Sequence, residues 1–109
     1  MAKRQKNENE IQTEGGVATK PKPKLKRPPM YRVIILNDDF TPMDFVVAVL
    51  QSVFDKDKTE ATEIMLQVHR TGIGVCGIYP FEIAETKAAQ VIDMAQRSMH
   101  PLQCRVEKV

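Results

Sequence analysis

Nearly every large apolar side chain of this sequence lies beyond residue 29, so any core must be built from residues 30–109. The segment before it, residues 1–29, holds eight Lys and Arg against three Glu, a net charge of +5, which leaves −3 for the rest of a chain whose total is +2. Such a segment cannot bury enough surface to offset its ordering entropy and reads as a disordered, basic, Pro/Lys-rich extension. Within it, KPKPKLKRPP is expected to be extended and semi-rigid, because each proline fixes its own φ and biases the preceding residue away from helix. Such an arm is either a solubilising leader with a spacer or a functional arm that reaches a partner. The remainder is acidic and lacks aromatic interleaving or an RNA-binding signature, so no nucleic-acid partner is expected.

Beyond residue 29 the apolar spacing alternates between two periods. Tyr31 to Leu36 (YRVIIL) is aromatic and β-branched, a strand. Thr41, Pro42 and Asp44 supply a hydroxyl cap, a proline at the first helical position and a first-turn carboxylate, followed by Met43, Val46, Val47, Leu50 and Phe54 at helical spacing. A second helix runs from about Thr59 to Arg70 with Ala61, Ile64, Met65 and Val68 on one face, and Gly72 stops it. Gly74 to Tyr79 is a short strand. Pro80 opens a third helix that carries Ala84, Ala88, Val91, Ile92 and Ala95 inward to about Arg97, and Leu102, Cys104 and Val106 alternate with polar residues in a last strand. The order β-α-α-β-α-β predicts an α+β sandwich: a three-stranded, mainly antiparallel sheet packed against three helices.

The opening residues MAKRQKNENE hold no apolar signal core, and no stretch approaches the run of about 18 apolar residues that spans a membrane, so a cytoplasmic location and no membrane partner are expected. Cys76 and Cys104 are too few for a disulfide framework and read as buried thiols, a bridge being possible only if their strands are neighbours.

The candidate site is the turn NDDFT. A strand end followed by a helix start needs one or two capping groups, which Asp39 or Thr41 can supply, and Asp44 suits the helix macrodipole. Asn37 and Asp38 are surplus to that need and point to a bound cation. His69 lies one turn beyond Met65 on the second helix. It is either a half-buried structural histidine or a third acceptor beside Asn37 and Asp38. A metal site is not expected, because His69, Cys76, His100 and Cys104 show no close ligand pairs. No cofactor is expected either, and a catalytic Asp38–His69 pair lacks a plausible nucleophile. Asn37, Asp38 and His69 around one ammonium group, with Met43 and Met65 as an adaptable wall, is the alternative that uses every group.

The strings YRVIILNDDFTPMDFVVAVL, MLQVH, GVCGIY, PFEIAETKAAQV and HPLQCRVEK resemble the ClpS family, adaptors of the bacterial ATP-dependent Clp protease, from about Met30 to the end. The resemblance implies an adaptor and not an enzyme. Such an adaptor would recognise proteins whose first residue is Leu, Phe, Tyr or Trp (N-degrons), deliver them to a ClpA-type Clp ATPase, and modulate which substrates are degraded. It would place Asn37, Asp38 and His69 on the substrate α-amino group. Thr41, Met43, Val46, Met65, Val68 and Leu102 would form or border the hydrophobic pocket, with Asp39 and Thr41 supporting the turn. Glu82 and Lys87 would dock on the ATPase's N-terminal domain, which would also engage the tail. On the residues alone, two other classes stay open: an interaction module of the same element order, and a small hydrolase using Asp38 and His69.

Overall fold

The computed structural model describes residues 27–109. The expected tail over residues 1–29 lies outside the described residues except for 27–29, which are exposed and irregular. The elements are β1 (Met30–Leu36), α1 (Met43–Phe54), α2 (Lys58–Thr71), β2 (Ile73–Pro80), α3 (Phe81–Arg97) and β3 (Gln103–Lys108). The strands form one antiparallel sheet in the order β2-β1-β3, with Val33 opposite Val106 and Ile35 opposite Cys104. This is the α+β sandwich read from the sequence.

The core fills the space between one sheet face and the helices. Val33, Ile35 and Cys76 meet Val49, Leu50, Ala61, Ala84 and Val91, all fully buried. The other face is largely open to solvent, with Arg32 reaching Glu107 at 3.7 Å and Val75 and Ile78 exposed, although Ile34 at its centre is buried. A bulge interrupts β2, since Val33 pairs with Gly77 but Ile34 with Val75, leaving Cys76 as the extra residue. The bulge shifts the side-chain phase, so Gly74 and Cys76 point inward before it and Tyr79 points inward after it.

Two helical faces differ from expectation. The buried stripe of α1 is Val46, Val49, Leu50, Val53 and Phe54, while Met43 stands 45% exposed at its start. In α3 the inward row is Ala84, Ala88, Val91 and Ala95; Ile92 lies about 100° further round the helix and faces outward. Small residues on that row let α3 lie close to the sheet.

Cys76 and Cys104 are free thiols on the two edge strands, separated by β1, so no bridge joins them. Burial pushes Cys104 up to about 12 and Cys76 higher still, which keeps both protonated.

Asp57 caps α2 by accepting from the Glu60 N–H at 2.8 Å, and Gly72 ends it in the left-handed conformation (φ 89°) with its N–H on Val68 O. The chain returns so closely that a Cβ at Gly74 would collide with the Val68 side chain and press on Ile64. Gly74→Ala is therefore expected to destabilise the fold by about 1–3 kcal/mol through overpacking between α2 and β2. Urea denaturation checks this: an unchanged midpoint would show that α2 is free to move away.

Candidate functional site

The turn between β1 and α1 is organised by one carboxylate. Asp38 Oδ1 accepts from the backbone N–H of Phe40 (2.8 Å) and Thr41 (2.7 Å), and Oδ2 accepts from the Thr41 hydroxyl (2.8 Å). The division of labour expected from sequence is thus altered. Asp38 supports the turn, and among the described residues Asp39 contributes no hydrogen bond to it. Thr41 does not cap α1 either, because its hydroxyl is spent on Asp38. The helix starts one residue later than read, with Pro42 as N-cap and its carbonyl accepting from Phe45 and Val46.

A second bond ties this turn to α2: the Asn37 N–H donates to Gly72 O at 3.0 Å. The last turn of α2 is thereby brought beside the acidic turn, and a cavity of about 190 Å³ opens between them. Its lining combines acceptor-bearing Asn37, Asp38, Asp39 and His69 with apolar Met43, Val46, Met65 and Val68, and includes Thr41. Ligand sites for drug-sized molecules run to about 300–1,000 Å³, so this cavity suits one side chain with its adjoining polar group. Leu102, expected among these residues, does not line it; it is 6% exposed and packed into the core.

Burial alone would raise the Asp38 pKa, but the Thr41 hydroxyl, the two backbone N–H groups and the nearby His100 together hold it below its ordinary value of 3.8. His100 was considered in the sequence only as a metal ligand. In the structure its ring meets Phe45 edge-on with centroids 4.6 Å apart, and it contributes positive potential at Asp38. No local signal links position 100 to the turn, because the contact exists only once β3 pairs with β1. The catalytic alternative loses its geometry, since both Asp38 oxygens are engaged by the turn instead of orienting His69. Among the described residues no three His, Cys, Asp or Glu side chains converge as metal ligands.

Glu82 is exposed in the first turn of α3, and Lys87, half-buried one turn further on, donates to Val53 O at 2.8 Å. No helix among the described residues is long and apolar enough to cross a membrane.

A cavity lined by both acceptor-bearing and apolar residues, with no assembled catalytic pair among the described residues, is the arrangement of a small binding module. The profile of the family described as ATP-dependent Clp protease adaptor protein ClpS matches residues 26–105. The ATP-dependent Clp protease adapter protein ClpS of Phenylobacterium zucineum is 53% identical over 108 residues, 99% of either chain. That of Caulobacter vibrioides is 61% identical over 92 residues, 84% of either chain. The structure of Agrobacterium tumefaciens ClpS2 bound to L-phenylalaninamide superposes with a TM-score of 0.74 at 37% identity, covering 76% of this chain and all of that one. The chain belongs to the ClpS family, adaptors of the Clp protease and not enzymes.

The Asp38 bonds give an acid dependence. Because the folded pKa is depressed, the stabilisation is complete above the ordinary carboxylate value and is lost as pH falls below it through the folded value. Asp38→Asn, which keeps an acceptor for the two N–H groups, should flatten this acid loss, while Asp38→Ala should cost about 0.5–1.5 kcal/mol at neutral pH, since the donors it releases are partly open to water. Urea midpoints at pH 7 and pH 3 test both; equal acid loss in wild type and Asp38→Asn would place its source elsewhere.

Proposed function

We propose that the cavity receives the first residue of a polypeptide, holding its α-ammonium at the polar end and a bulky Leu, Phe, Tyr or Trp side chain against the apolar end. The observation that carries this is the division of one small cavity into four acceptor-bearing residues and four apolar ones. The Agrobacterium relative's ligand, L-phenylalaninamide, combines a free α-amine with an aromatic side chain, which supports the same reading here.

An ammonium offers three donors, and Asn37, His69 and a carboxylate can accept one each. Since Asp38 already accepts three bonds, Asp39 is the carboxylate with lone pairs to spare, so the counter-charge is assigned to the Asp38–Asp39 pair. Charge-assisted bonds of about 1.5–3 kcal/mol apiece and about 1.5–3 kcal/mol from burying the side chain, less the cost of association, place affinity near the micromolar range. Binding of that strength sorts substrates and still releases them.

Met43, half-exposed at the first residue of α1 and bordering the cavity, is assigned the role of gate. Ile and Val branch at Cβ, close to where the amine is pinned, and would clash with it. Titrations of Phe-first, acetyl-Phe-first and Ile-first peptides should show at least about tenfold weaker binding on acetylation. Met43→Ala should strengthen Ile-first binding while costing Phe-first binding about 1–2 kcal/mol of lost contact. Equal affinity for free and acetylated peptides sinks the pocket assignment; uniform weakening by Met43→Ala sinks the gate.

Delivery is assigned to a ClpA-type ATPase, whose N-terminal domain would meet Glu82 on α3 and engage the basic extension. Deleting residues 1–29 should leave peptide affinity unchanged, because the described residues that line the cavity run from Asn37 to His69, and should slow degradation of a Phe-first protein by the ATPase and its peptidase. Equal rates at saturating adaptor would reduce the extension to a solubilising leader.

A further inference from the structure

Helix α1 ends on a backbone cap in which the Asp55 and Lys56 N–H groups bond Leu50 O, but no cation stands in its last turn. Asp55, in the left-handed conformation (φ 55°), places a carboxylate next to the negative end of the macrodipole. The missing cation arrives from 34 positions away: Lys87 Nζ on α3 donates to Val53 O at 2.8 Å. The ammonium also lies 5.3 Å from the Tyr79 ring centroid and 5.9 Å from that of Phe54, two rings stacked with centroids 6.4 Å apart. One side chain therefore joins α1, β2 and α3.

The opposite end of α1 carries Met43 and Val46, which line the cavity. Twelve helical residues span about 18 Å and move as one body. Burial of Val46, Val49, Leu50, Val53 and Phe54 keeps that body on the core, but apolar burial is non-directional and fixes its axial position weakly. Directional bonds fix it better. At the C-terminal end, Ser52 makes only a long contact of 3.9 Å to Met94 Sδ, so the Lys87–Val53 bond is the short one. We infer that Lys87 is a positioning residue for the binding cavity: by fastening the C-terminal end of α1 to α3 it sets where Met43 stands at the cavity mouth. The inference rests on the cavity's being the peptide site, and it gives Lys87 a role inside the adaptor distinct from contact with an ATPase.

Lys87→Met keeps the stem and its packing on the rings but removes the ammonium; Lys87→Arg retains a cation able to bond a carbonyl. Two measurements are made on each folded variant: affinity for Phe-first and Ile-first peptides, and amide hydrogen exchange in the first turn of α1. Lys87→Met is expected to weaken Phe-first binding about three- to tenfold, to narrow the preference for Phe over Ile, and to speed exchange at Phe45 to Val47, with Lys87→Arg restoring all three. Unchanged affinity, preference and exchange in Lys87→Met, whatever its thermal stability, would make Lys87 a plug for α1 alone and overturn the inference. Should Lys87→Met fail to fold, Lys87→Leu, which also removes the donor while keeping an apolar stem, is read in the same way. Failure of wild type to tell free from acetylated peptide would overturn the peptide reading instead, and the exchange data would still decide whether Lys87 positions the first turn.

Discussion

Three hydrogen bonds to the Asp38 carboxylate determine where the cavity is. They close the chain after β1 into a turn tight enough that α1 begins at Met43, and they leave Asn37 free to bond Gly72. That second bond fixes the last turn of α2, and with it Met65, Val68 and His69, opposite the first turn of α1. Without the carboxylate, two backbone N–H groups lose their acceptor, and the helix start and the cavity wall lose their common origin.

The sheet supplies the rigid base for this arrangement. Val33 and Ile35, buried in the central strand, anchor β1 and so hold the turn that leaves its end. The close passage of Gly74 beneath Val68 draws α2 down onto β2, and the alanine row of α3 does the same on the other side. Both are cases in which a small side chain, and not a large one, fixes the distance between two elements.

Element order and type were legible in the sequence because they follow local periodicity and capping. Gly72 acts as the stop of α2, Pro80 stands immediately before α3, and Cys104 and Val106 point inward from β3 as their alternation implies. What was not legible depends on contacts between distant positions. Ile92 was assigned inward because it is apolar at nearly the right spacing, yet the row through Val91 lies closer to the sheet. The bulge at Cys76 cannot be read from composition, since it is defined by the partner strand. Leu102 matched the pocket by resemblance but sits in the core instead. The split between Asp38 and Asp39 turned on which carboxylate the turn consumes, a matter of backbone dihedrals that two adjacent identical residues cannot reveal.

Under the proposed function, that split also bears on how an ammonium would be both recognised and released. A carboxylate already bonded to two amides and a hydroxyl is held in place before any ligand arrives, so little conformational entropy is lost on binding. Its remaining capacity is limited, however, and its charge is partly offset by the donors it holds and by His100 nearby. The neighbouring Asp39 is exposed and, among the described residues, has no bond of its own in the turn, which leaves its oxygens open to solvent. One ordered, partly satisfied carboxylate beside one free, hydrated carboxylate yields directional attraction without the deep desolvation that would make an ion pair slow to separate. An adaptor must give up what it binds, and this pairing of an anchored and a free aspartate suits that requirement better than a fully buried counter-ion would.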